Sequence, residues 1–229
     1  SPLQDSYVIF PKKTIQKNGK QLSSRTKRGL AAVLFAPEEI LLLRDSPAER
    51  RRYVDALIVR FSPQFGTIVR QYARVLSQRN RILTDDELAQ NAKRAQLEPW
   101  NSQLIELGTK ITKARHVWSA KLNEELAKQY AAIARRDEPA EFVYEPFYQR
   151  EQNARPNGDF SNPTKEHDIQ AVFQEQLVKR LPDELIRRRS LVGPHRDDFN
   201  AALGKNSIKH FGSQGQHRTF VLALKIAEV

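Results

Sequence analysis

The residues whose types and spacing best suit chemistry lie near the end of the chain, in Gly212-Ser213-Gln214-Gly215-Gln216-His217-Arg218-Thr219. This small, polar stretch opens directly into an apolar helical pattern running to Val229. Unpaired backbone amides at a helix start, the positive end of the helix dipole, a serine hydroxyl and a close-approach glycine together suit an anion such as phosphate. The same residues also describe an ordinary glycine-containing N-cap, and the residues alone leave both readings open. A second cluster is His195, Arg196, Asp197 and Asp198. In a strand-like segment His195 and Asp197 share one face and Asp198 takes the other, so a metal site there lacks a third ligand. The alternative is an Asp–Arg pair orienting Arg196 at a subunit interface. His116, His167, His210 and His217 show no ligand spacing.

Two kinds of chemistry are missing. The chain has no cysteine, which excludes disulfides, thiolate zinc sites and cysteine nucleophiles. A phosphate-binding P-loop needs G-x-x-x-x-G-K-[ST], yet the Gly-Lys pairs are Gly19-Lys20-Gln21 and Gly204-Lys205-Asn206. No apolar strand ending in paired acids follows Gln216 either. Methionine is absent too, which predicts an excised or processed chain, and the uncapped apolar end at Val229 predicts a partner segment downstream.

The elements that must position these residues are predominantly helical, an α+β pattern with short β elements at both chain ends. Residues 7–22 predict a hairpin with Asn18-Gly19 as its type I′ turn, and Ala32 to Phe35 a short buried strand. Ser46-Pro47-Ala48-Glu49 predicts a capping box opening a helix to about Phe61. Ser62-Pro63 predicts a second helix to about Leu83, and Asp85-Asp86-Glu87 a cap for a third. From Trp100 to Arg135 apolar residues recur every three or four positions, predicting a long amphipathic helix, with both tryptophans in the core. Glu141 to Tyr148 predicts a strand and 149–163 a polar loop. Thr164 predicts the cap of a helix through Leu181, with a short one near 183–189. Leu191 to Gly193, Phe199 to Leu203 and Ile208 to Phe211 predict strands, and Gln214 to Val229 a helix. The expected division is 45–189 as a helical lobe, with 1–44 and 190–229 forming a separate β-containing part.

Charge is distributed unevenly over this framework. The chain carries 38 Lys and Arg against 27 Asp and Glu, a net charge of +11. Residues 1–60 hold 12 basic and 6 acidic side chains, 61–137 hold 13 and 8, and 138–229 hold 13 of each. The excess is confined to the first 137 residues, so a polyanion such as nucleic acid should meet that part. No apolar run is long enough to span a bilayer and no secretory signal is visible, which predicts a cytoplasmic chain without a membrane partner. On a wheel with Arg70 at 0°, Arg74 falls at about 40° and Arg81 at about 20°, opposite an apolar stripe around Tyr72 and Val75. That row is either a solvated face or a phosphate track. Arg79 falls at about 180°, among the apolar residues. Arg50, Arg51 and Arg52 fan over ~200°; at least one should pair internally, with Asp55 or Glu49, while the others can contact DNA or nucleotide.

Ser213-Gln214-Gly215-Gln216 resembles the signature motif of ABC-type ATPases in the variant found in the RecF family. Val33-Leu34-Phe35-Ala36-Pro37-Glu38-Glu39, Asp45 to Asp55, Tyr72 to Asn80, and Leu191-Val192-Gly193-Pro194-His195-Arg196-Asp197-Asp198 resemble the same family in the same order. Asp45 stands where the family usually has glycine, and His217 and Phe220 depart from it within the signature helix. The resemblance implies the helical lobe plus part of a RecF-like ATPase head, from a DNA-repair protein that recognises gapped DNA or single/double-strand junctions. It further implies assistance in recombinase loading with RecR and RecO, and ATP-dependent homodimerisation. Ser213, Gln214, Gly215 and Gln216 would contact in trans a nucleotide held by the other subunit. ATP and Mg2+ belong to the full-length parent; with no P-loop and no magnesium-binding acids, this chain alone is expected to bind neither tightly and to be inactive. The competing readings are an interaction scaffold built on the Trp100–Arg135 helix, and a metal-dependent phosphoesterase around His195 and Asp197.

Overall fold

The computed structural model describes residues 7–9, 15–17, 20–21, 41–44, 46–135, 138–149, 165–204 and 206–228. The chain divides into two units, residues 1–34 and 35–228. The first contains an antiparallel sheet of β1 (Tyr7–Ile9), β2 (Ile15–Lys17) and β3 (Lys20–Gln21), in that order. Lys17 pairs with Lys20, leaving the two residues that a tight hairpin turn requires. The expected hairpin therefore gains a third strand. Asn18-Gly19 themselves, the Ala32–Phe35 strand, Asp45, the 150–163 part of the polar loop and the Thr164 cap lie outside the described residues.

The second unit is predominantly helical. After α1 (Leu41–Arg44) come α2 (Pro47–Phe61) and α3 (Pro63–Thr84). Pro47 and Pro63 occupy the first helical position, where fixed φ helps and the missing N–H costs nothing. The expected capping box at Ser46 does not form: the Glu49 carboxylate is taken by Arg52, and backbone bonds from Glu49 and Arg50 to the Ser46 carbonyl hold the turn. Asp85-Asp86-Glu87 belong to a loop, and α4 is one helix from Gln90 to Ala134, 45 residues and ~67 Å long at ~1.5 Å per residue. It runs through Pro99, where two helices were expected, because Leu97, Leu104, Ile111, Leu126 and Tyr130 keep one buried face continuous. Likewise α5 (Glu166–Arg187) continues through Pro182. Arg135 and Arg188, at φ 51° and 56°, cap the two helices in the left-handed region.

Between the helices lies a second antiparallel sheet of β4 (Ala140–Glu145), β5 (Asp198–Leu203) and β6 (Asn206–Ser207), with β5 central. Ala140 pairs with Leu203 and Glu145 with Asp198. Ala140, Phe142 and Tyr144 alternate inward, and the Phe142 and Phe199 rings stack at 5.5 Å. Ser119 and Asn123 of α4 bond the Phe142 backbone, fixing the strand to the helix. Two expected strands are absent: 191–193 is a loop leading into a single 3-10 turn, Pro194–Arg196, and Ile208–Phe211 is the short helix α6. The chain closes with α7 (Gln214–Ala227). Helices α3, α5 and α7 and strand β4 all pack along α4. Trp100 and Trp118 are half-buried at the edge of this core, not within it. No helix among the described residues is long and apolar enough to cross a membrane.

Candidate functional site

Ser213 to Gly215 are exposed and Gln216 is half-buried at the start of α7. The turn is held by a reciprocal capping box: the Gln216 amide donates to Ser213 Oγ at 3.2 Å and the Ser213 amide donates to Gln216 Oε1 at 2.9 Å. His217 donates its amide to the Ser213 carbonyl. The amides of Gln214 and Gly215 therefore remain unpaired among the described residues, and Ser213 Oγ, here an acceptor, retains its own proton to donate. Three donors thus converge at the positive end of the helix, which is the donor set a phosphate oxygen takes. His217 itself is buried, with Nε2 2.9 Å from the Ile208 carbonyl.

The arginines divide into buried and exposed sets. Arg50 is buried and forms a two-pronged pair with Asp198, both contacts at 2.8 Å. Of the two partners expected for the triplet, Glu49 pairs with Arg52 and Asp55 with Arg115. Arg51 is half-buried and donates to the Asp197 carbonyl at 2.6 Å, while exposed Arg52 reaches Glu49. Arg79 is fully buried and donates to Asn101 Oδ1 at 2.8 Å, Ser190 Oγ at 2.7 Å and Glu184 Oε2 at 2.5 Å. Arg50 and Arg79 thus have no surface on which to meet a phosphate, and they are removed from the DNA-contact set for that reason. Arg70, Arg74 and Arg81 are exposed along α3, as their periodicity predicted, with Arg70 also donating to Thr67.

His195, Arg196 and Asp197 do not act together. Asp197 is buried, and its partner is Arg115 (2.7 Å), not Arg196. Tyr144 O–H and the Phe147 amide also donate to it. Burial pushes its pKa up to about 6 against the pull of Arg115. Such a carboxylate is neither an interface group nor open to a metal. Among the described residues no group of three acids or histidines is placed to hold one. The His195 Nδ1 lies 2.7 Å from Tyr72 Oη and its Nε2 3.2 Å from the Ser190 carbonyl. The carbonyl can only accept, so Nε2 carries the proton and Tyr72 donates to Nδ1. Burial lowers the histidine pKa to about 4 and keeps the ring neutral. Arg196 is exposed.

The residue that sequence reasoning missed is Arg115. It chelates Asp55 with two contacts at 2.9 Å and also holds Asp197 and the Pro194 carbonyl. Its signal was present: it lies four residues after Ile111, one turn along the apolar face of α4.

Compared with known proteins, the chain is 36% identical over 200 residues to the DNA replication and repair protein RecF of Acetivibrio thermocellus, covering 87% of this chain. It is 32% identical over 230 residues to RecF of Ruminiclostridium cellulolyticum, covering 99% of this chain. The chain belongs to the RecF family. It spans 51% and 59% of those two relatives, about half to three-fifths of their length. A solved structure of the recombination mediator protein RecF-ATP in the RecFOR pathway superposes with a TM-score of 0.74 at 29% identity, over 94% of this chain and 55% of that one. A RecF-ATPrS structure gives 0.72 at 27%, over 98% and 58%. No family model matches. The fold is the helical lobe of a RecF-type ATPase head, as the sequence resemblance implied.

Proposed function

We propose that this chain is the DNA-contacting and dimerising part of a RecF-type DNA repair and recombination protein. The start of α7 supplies Ser213, Gln214, Gly215 and Gln216 to a nucleotide that a second copy holds. The observation that carries this reading is the set of unpaired donors exposed at that turn, in a chain related to RecF. The capping box refines the role of each residue: Ser213 O–H and the Gln214 and Gly215 amides face the phosphate, while Gln216 braces the turn. ATP with Mg2+, when bound, supplies the charged bridge between two heads. On this reading residues 45–189 form the lobe, and 1–44 with 190–229 contribute to the head. The exposed row Arg70, Arg74 and Arg81 contacts the phosphates of a gapped or single/double-strand junction. RecR and RecO are the protein partners that the family relationship supports, and the cytoplasm is the compartment. By itself the chain turns over no ATP.

The test uses the full-length protein carrying this sequence. Its ATP-dependent dimer, followed by light scattering, should disappear in Ser213→Arg, which fills the turn with a cationic side chain while leaving DNA binding intact. Persistence of the dimer removes the trans role from this turn.

A further inference from the structure

A groove of about 500 Å³ lies between α2 and α3, closed at its inner end by α4 and the Pro194-His195 turn. That volume is ample for a small planar ligand. Its walls are apolar and mostly short: Ala56, Val59, Val69, Ala73 and Ile111. Four guanidinium groups, Arg51, Arg52, Arg70 and Arg115, line it as well. The one carboxylate among the lining residues, Asp55, has both oxygens held by Arg115. Burial and the neighbouring Arg115 cation hold Arg51 below the usual arginine range, so an incoming anion would relieve an existing strain of charge. Arg70 belongs to the groove and also begins the exposed row that continues through Arg74, ~6 Å along the axis, to Arg81, ~16 Å along. Over its 22 residues α3 contains no acidic side chain.

We propose that the α2–α3 groove receives one unstacked base of a single-stranded nucleic acid, with Arg51, Arg52 and Arg70 on the phosphates flanking it and Arg74 and Arg81 on those beyond. The inference rests on the DNA-contact reading of α3 and adds the strand form and the seat of a base. A row of cations along α3, a helix with no carboxylate of its own, matches a regularly charged polyanion better than a compact acidic peptide. A single strand is required because a base inside a duplex has no free face to offer an apolar slot, whereas an unstacked base has one. The aliphatic walls offer a face to any base while the guanidiniums are spent on the phosphates, so capture is sequence-tolerant.

The experiment titrates the full-length protein carrying this sequence into a single strand carrying 2-aminopurine and into the matched duplex. Binding should raise the single-strand fluorescence as the base leaves its neighbours. Ala56→Trp and Ala73→Trp, both at exposed helix positions, fill the groove. Each should abolish the rise and weaken single-strand binding about tenfold more than duplex binding. A strand that binds without the rise, or a rise that survives both filled variants, overturns base capture while leaving the basic face of α3 in place. Competition by an acidic peptide lost only in the filled variants assigns the groove to a protein partner and also overturns it. Failure to bind either nucleic acid at low salt removes the DNA-contact reading itself.

Discussion

Arg79 shows how a side chain that reads as a ligand contact becomes an internal tie. Its guanidinium joins α3, α4, α5 and the segment after α5 through Asn101, Glu184 and Ser190. Glu184 is fully buried and also accepts the Leu191 amide. Removing one partner of such a pair leaves a buried charge uncompensated, at a cost of roughly 3–5 kcal/mol. Arg79→Ala should lose that much in denaturant unfolding, and Arg79→Lys should not restore it, because a point charge cannot reach three acceptors as a planar fork does. A second prediction concerns His195. Its folded pKa of about 4 lies below the ordinary 6.5, so the folded state resists protonating it. Its stabilising contribution is complete above about pH 6.5 and declines as pH falls toward 4. Measured against His195→Asn, wild type should lose its advantage across that window; a constant difference would contradict the neutral, doubly bonded ring. The inward direction of Arg79 was legible from its place on the wheel. Its partner was not, because Glu184 is 105 positions away and nothing local links the two. The absence of an Asp197–Arg196 pair has the same cause: adjacent residues were assumed to interact, while the fold brought Arg115 from another helix.

Among the elements, α4 is the one on which the others depend. Gly108 sits where α5 and the 194 turn approach it: a Cβ there would lie 2.3 Å from the Phe173 ring and 3.1 Å from Pro194. Both neighbours are buried, so the clash cannot be relieved at the surface. Gly108→Ala should destabilise by about 1–3 kcal/mol despite the better helix propensity of alanine, and thermal melting reads the sign directly. Gly193, at φ 130°, holds the other side of the same junction, with Tyr72 Oη 2.3 Å from the place a Cβ would take. Most helices were legible from proline and serine starts and from apolar spacing. The merging of segments across Pro99 and Pro182 was not, since local rules end a helix before proline and only the continuous buried face explains why both run on. Ile208 to Phe211 looked like a strand for a related reason: four residues give too little periodicity to separate a helical turn from an extended one.

At the scale of the molecule, family membership came from motifs spread over the whole chain, which is why it was legible before any coordinates. Charge placement was legible too, and it leads to a further prediction. Exposed arginines on α3 that meet phosphates release counterions, adding a salt slope of ~0.7 per contact for single strands. The double variant Arg74→Gln, Arg81→Gln should flatten the log–log slope by about 1.4 and leave thermal stability unchanged, whereas an unaltered slope would reduce that face to a solvated surface. The three buried guanidiniums have another effect, on the order in which the chain is made. Arg50 and Arg79 leave the ribosome long before Asp198 and Glu184, the carboxylates that neutralise them, and Arg115, which has Asp55 from the start, lacks its second acid until Asp197 follows. Until those acids emerge, closing the helices would trap two naked cations and a half-paired third, so the nascent polypeptide must wait, loosely gathered, for residues 184–198 before the interior can seal.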